Sequence, residues 1–124
     1  MSEIQHDPVN HPVHYAAQQG VPFECIVIVR DLSFDIGNAV KYLWRTELKN
    51  GREDIEKAHW YLHDAIKWNS PFYIGNTPMQ FNARCATLVR AQSDPLRRRF
   101  FQALRAQSPR WMMEAVDDML TSIG

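Results

Sequence analysis

The sequence is poor in cysteine. Cys25 and Cys85 are the only two among 124 residues, far apart, each in an apolar setting and without CxxC spacing. A disulfide scaffold needs more thiols than this, and free cysteine packs as a small hydrophobe, so both are expected to be reduced and buried, as in a cytoplasmic protein. Long hydrophobic runs are also missing. The longest uncharged apolar stretch is "CIVIV", residues 25–29, far too short to span a bilayer. With no signal-peptide pattern ahead of it, the expectation is a chain neither exported nor membrane-anchored. No sign of charge dominates, since 14 Lys and Arg balance 14 Asp and Glu. This balance argues against a general nucleic-acid coat, and 45% apolar with 23% charged residues is the composition of a globular protein. Several familiar catalytic motifs are absent too: GxxxxGK[ST], GxGxxG after a strand, HExxH and GxSxG. A phosphate site in this chain is therefore not a P-loop.

What is present has a clear order. The length suits one domain with one core. Residues 1–22 contain Pro8, Pro12, Pro22 and Gly20 without helical or strand periodicity, and read as an irregular arm. Residues 23–69 read as a helical core. In 23–32, Cys25, Ile28, Val29 and Leu32 fall at i, i+3, i+4, i+7, which favours a short helix over a buried strand. Ser33 is the expected N-cap of a helix over about 34–48, with Ile36, Ala39, Val40 and Leu43 as its core stripe. After Asn50-Gly51, with capping-box spacing from Asn50 to Glu53, a third helix is expected over about 52–68, burying Ile55, Ala58, Leu62, Ala65 and Ile66.

Past "NSPFYIGNTP", a capping residue followed by Pro occurs three times, at Thr77-Pro78, Asp94-Pro95 and Ser108-Pro109. Proline at the first helical position gives up an N–H that had no intrahelical partner, so each pair marks a helix start. Helices are expected at about 78–91, 95–106 and 109–122. The fold class is all-α, with five to six short helices after the irregular arm. Charge is uneven along it: residues 1–69 hold seven cations and ten acids, residues 70–124 seven arginines and four acids. Self-association of one half with the other would use that asymmetry, and the C-terminal helices, read as an extension of the same compact domain, are expected to make a homo-oligomer.

Three constellations bear on chemistry. Glu56, His59 and His63 share a helix face, but nothing in the later helices supplies a second Glu-x-x-His, so exposed polar residues are expected there and no metal ligand is assigned. Glu53 and Glu56, with Asp54, Asp64 and Glu24, weakly suggest the all-α nucleotide pyrophosphohydrolases, although first turns attract acids for dipole reasons alone. The most suggestive stretch is "GNAVKYLWR", Gly37 to Arg45. Asn38, Lys41 and Arg45 lie in one band at i, i+3, i+7, flanked by Tyr42 and Trp44, while the core stripe faces inward. An amide, an ammonium and a guanidinium in line beside rings suit a phosphate and a base; long cations that only snorkel along a core are the commoner arrangement.

Five blocks, "VNHPVHY", "ECI", "FDIGNAVKYLWR", "KNG" and "EDIEKAHWYL", occur over about 9–67 in an order and spacing that resemble a small phage-encoded family, formerly a domain of unknown function, whose characterised podophage member is a deoxynucleoside monophosphate kinase without a P-loop. The resemblance implies phage origin, action in the cytoplasm of an infected bacterial cell, nucleotides as partners, and phosphoryl transfer from a nucleoside triphosphate to an acceptor such as dTMP or dGMP. It implies no sequence-specific nucleic acid, and it leaves a magnesium requirement open. Phosphoryl transfer needs cationic clamps, alignment and exclusion of water. On that chemistry Lys41 and Arg45 would clamp phosphates, Asn38 would orient one, and His11 and His14 would supply donors or a proton acceptor. Lys49 and Lys57 would contact a second nucleotide, and Tyr15, Tyr42 or Trp44 would stack on a base. Two other readings stay open: a non-catalytic protein that binds or sequesters a nucleotide or a host protein, and a metal-dependent nucleotide pyrophosphohydrolase.

Overall fold

A computed structural model describes residue 9, residues 15–46 and residues 51–123. The fold is all-α. The described residues form six helices, α1 (Cys25–Val29), α2 (Phe34–Arg45), α3 (Gly51–Lys67), α4 (Phe81–Ala91), α5 (Pro95–Arg105) and α6 (Pro109–Ile123). Helices α2 and α3 pack together, α6 lies against both α3 and α5, and α4 packs on α5. The expected stripe of α2 is the centre of the core: Ile36, Ala39, Val40 and Leu43 are fully buried. In α3, Ile55, Ala58, Leu62 and Ala65 are buried and Ile66 is only half-buried. From the other side come Phe100, Phe101, Leu104, Met112 and Val116. The stripe of α6 ends before Ile123, which is exposed.

Capping follows the sequence at two helix starts and departs from it at two. The Asp94 carboxylate accepts from the Arg97 N–H at 2.8 Å, with Pro95 behind it, and the Ser108 hydroxyl accepts from the Trp111 N–H at 3.1 Å. Ser33, however, makes no side-chain cap on α2. Its N–H donates instead to the Phe72 carbonyl, next to an isolated antiparallel bridge between Leu32 and Tyr73. The Thr77-Pro78 start is also corrected. Gln80 stands in the left-handed region at φ 67°, so Pro78 belongs to a turn closed by the Phe81 N–H, and α4 begins only at Phe81. Phe81 is buried against the rings of Tyr73 and Phe72. Asn50 and its capping box lie outside the described residues.

Helix ends use left-handed residues other than glycine. Asn69 and Gln107 have positive φ, and the N–H groups of Ser70 and Ser108 reach back to the carbonyls of Ala65 and Ala103, the Schellman arrangement that closes a helix C-terminus. The C-terminus of α2 is closed from afar, because the Arg97 guanidinium, buried in α5, donates to the Leu43 carbonyl at 2.7 Å. The described part of the arm is also fixed. The Trp44 indole N–H donates to the Ala16 carbonyl at 2.7 Å, and the Gln92 amide donates to Gln18 at 2.8 Å. Residues 15–24 are thereby held against the C-terminal end of α2 and the α4–α5 connection.

Candidate functional site

Helical periodicity places Lys41 and Arg45 on one band, and the structure sets them at different depths. Arg45 is buried, with its Nε 3.4 Å from a carboxylate oxygen of Asp54, whose side chain is 1% exposed. Its Nη1 donates to the Tyr15 hydroxyl at 2.8 Å. Burial pulls the guanidinium pKa down, but the Tyr15 hydrogen bond and the charges of Tyr15, Asp54 and Tyr42 outweigh it and hold the pKa above the ordinary value. Arg45 is thus a permanently charged tie between the arm, α2 and α3. Its role as an open phosphate clamp is corrected accordingly.

Lys41 is different. Its ammonium lies 5.0 Å from the Tyr42 ring centroid and 5.9 Å from that of Tyr15, and among the described residues no carboxylate pairs with it. Two cavities meet at this side chain. The first, about 270 Å³, is walled by Tyr15, Glu24, Cys25, Ile26, Val29 and Lys41, with Val9 at its rim. The second, about 220 Å³, is walled by Leu32, Ser33, Phe34, Gly37 and Asn38, and shares Val29 and Lys41 with the first. Gly37 opens the second cavity: a Cβ there would sit 3.5 Å from the Val29 carbonyl oxygen, so a larger side chain would fill the groove between α1 and α2. On the floor of the first, burial pushes the Cys25 thiol up to about 12 despite the opposing field of Lys41, so the sulfur stays protonated and is no nucleophile.

The remaining expected residues are scattered. Trp44 is 2% exposed, packed between Phe23 and the edge of Phe101, and so is core, not a base-stacking ring. Tyr42 is stacked on Tyr61 at 11° and 6.0 Å, with Lys41 and Lys57 over its ring. It serves as a seat for cations and leaves little face for a base. Asn38 does line the second cavity, its amide donating to the Phe34 carbonyl at 2.8 Å. Lys57 pairs with Glu53 at 3.3 Å and lines neither cavity. His11, His14 and Lys49 lie outside the described residues.

Residues 9–63 match the model of a family described as a protein of unknown function, DUF3310. No curated protein and no solved structure matches the chain. The match covers less than half of the sequence and its description carries no activity. The resemblance to a nucleotide-kinase family is corrected by that finding: what the matched region is similar to is a family without an assigned function, and neither kinase chemistry nor phage origin follows from it. The described lining residues of both cavities all fall within the matched region, whereas α4–α6 lie beyond it.

The acidic and histidine constellations come apart in three dimensions. Glu56 pairs with Arg52, and His59 reaches across to Asp117 of α6 at 3.0 Å. Glu53 pairs with Lys57 and Asp54 with Arg45. Asp64 shares a hydrogen bond with the buried Asp35, whose pKa is pushed up to about 6 by burial first and then by that bond and the neighbouring charge. Among the described residues no three His, Cys, Asp or Glu side chains converge on a metal position. Nor is any described helix long and apolar enough to cross a membrane.

Sequence reasoning missed Phe34, Gly37, Glu24 and Val29 as groove residues. Phe34 carried a readable signal, an aromatic ring at the first position of α2 outside the core stripe. The others are visible only once α1 folds back on α2.

Proposed function

We propose that the chain is a binding protein for a small nucleotide-like anion, with a phosphate on Lys41 and a ring in the first cavity against Tyr15 and Val29. The observation that carries this reading is Lys41 itself, an ammonium held between two rings at the junction of two cavities, with no carboxylate partner among the described residues. Rings on either side remove part of its water, and an anion restores the lost solvation. Apolar Val29 and Ile26 suit the faces of a planar ring. Binding is favoured over phosphoryl transfer to a deoxynucleoside monophosphate because Arg45 is occupied by Asp54 and Tyr15. A transfer site needs cations on both donor and acceptor.

The test is calorimetric titration of the purified protein with dTMP and dGMP at fixed salt. Saturable binding is expected, weakened about tenfold or more by Lys41→Ala, the loss of one charge-assisted contact of about 1.5–3 kcal/mol. Absence of binding by any deoxynucleotide overturns the proposal. Incubation with monophosphate, triphosphate and magnesium, followed by chromatography, is expected to return the ligands unchanged; new diphosphate would make the protein a kinase, and release of pyrophosphate a hydrolase.

A further inference from the structure

We infer that the ligand of this groove carries two planar ring systems joined through a single phosphate, one ring in each cavity and the phosphate on Lys41. The inference rests on the binding reading above and names the class of ligand. Three observations support it.

First, size. The cavities of about 270 and about 220 Å³ each fall short of the roughly 300 Å³ at which small-molecule sites begin, and the two neighbours, which share Val29 and Lys41 as wall residues, together lie within that range. A ligand that filled only one would leave the other wet.

Second, the far end of the second cavity is an aromatic platform. Phe34 is 73% exposed, unusual for a phenylalanine, yet it is braced edge-on by Tyr61 at 5.8 Å, which is in turn fixed by Trp60 at 5.1 Å and stacked on Tyr42. A ring held in orientation by neighbours while its face stays in water is suited to stacking on a second flat group.

Third, charge. Among the described residues Lys41 is the only cation lining either cavity, and both cavities share it. One cation at the midpoint matches one phosphodiester. A nucleic-acid strand would require a succession of cations along its backbone, and of the described basic side chains nearby Arg45 is committed to Asp54, Lys57 to Glu53, and Arg30 turns back to the Ile26 carbonyl. The occupant is therefore a free two-ring phosphodiester, not a strand.

The experiment compares three probes on the full chain by calorimetry: dTMP, the dinucleoside phosphate TpT, and a ten-residue oligothymidylate. TpT is expected to bind at least about tenfold more tightly than dTMP, the gain of one stacked base. Phe34→Ala should bring the TpT-to-dTMP affinity ratio down toward one. Gly37→Ala, which places a methyl in the second cavity at an ordinary contact distance, should do the same without loss of thermal stability. If dTMP binds and TpT binds no better, or if neither substitution lowers the ratio, the two-ring inference is overturned while the binding reading stands. If the oligothymidylate exceeds TpT by more than its number of equivalent sites, the ligand is a strand and the inference is overturned in that direction. If no probe binds, both fall.

Discussion

Lys41 and Arg45 are one helical turn apart and carry the same charge, yet they have opposite physical roles. Arg45 closes a buried ion pair, so Arg45→Ala leaves Asp54 charged at 1% side-chain exposure and without its partner. The expected cost is about 3–5 kcal/mol, read as a lower urea midpoint at constant slope. Lys41→Ala should change stability by no more than about 0.5 kcal/mol. Replacing the pair with apolar residues, Arg45→Met with Asp54→Leu, should cost less than the single substitution, because no uncompensated charge remains. A double variant as unstable as Arg45→Ala would show that the guanidinium matters chiefly for its hydrogen bond to Tyr15. Periodicity gave both cations the same direction from the helix axis, and that direction was legible in the sequence. Depth was not, because it depends on Tyr15 and Asp54 arriving from other segments.

At the scale of elements, the helix termini show which local signals survive folding. Asp94-Pro95 and Ser108-Pro109 begin helices as expected, whereas Thr77-Pro78 does not, because Gln80 is left-handed and Phe81 turns into the core. Asp94→Ala should cost about 1 kcal/mol through loss of the α5 cap, measurable in the same urea titration. A second device links α2 to α3. Asp35, at the start of α2, holds its proton up to about pH 6 against an ordinary carboxyl value of 3.8, chiefly through burial and then through Asp64. Between those two values the folded state binds more protons than the unfolded one, so stability falls as pH rises through the window and is level above it. Asp35→Asn removes the ionisable partner and keeps a hydrogen-bonding group. Its melting temperature should exceed that of the wild type at about pH 7 to 8, with a flatter profile between about pH 4 and 6. An unchanged slope in that window would mean that the two carboxyls do not share a proton.

For the whole molecule, helices over residues 70–124 were legible in the sequence, but what they face was not. As an expected extension they could have met another copy; in the structure they complete the core of the matched region. Phe101 of α5 packs perpendicular to Trp44 at 6.4 Å between ring centroids, and Arg97 closes the end of α2. Helix α6 packs along α3, with Asp117 on His59. A chain ending at residue 69 would therefore leave one side of α2 and α3 uncovered, at a length where a single core rarely suffices. It is expected to lose cooperative thermal melting and to bind a hydrophobic dye, while the full chain melts in one transition. The groove walls belong to the matched region, so the same fragment tests how far the site depends on α4–α6. Since Lys41 is positioned by the rings of Tyr15 and Tyr42, and Tyr15 in turn by Arg45, a fragment without a fixed α2 should lose deoxynucleotide binding together with its melting transition. Cooperative melting with retained affinity would instead make residues 1–69 the self-sufficient unit and leave the C-terminal helices free for another role.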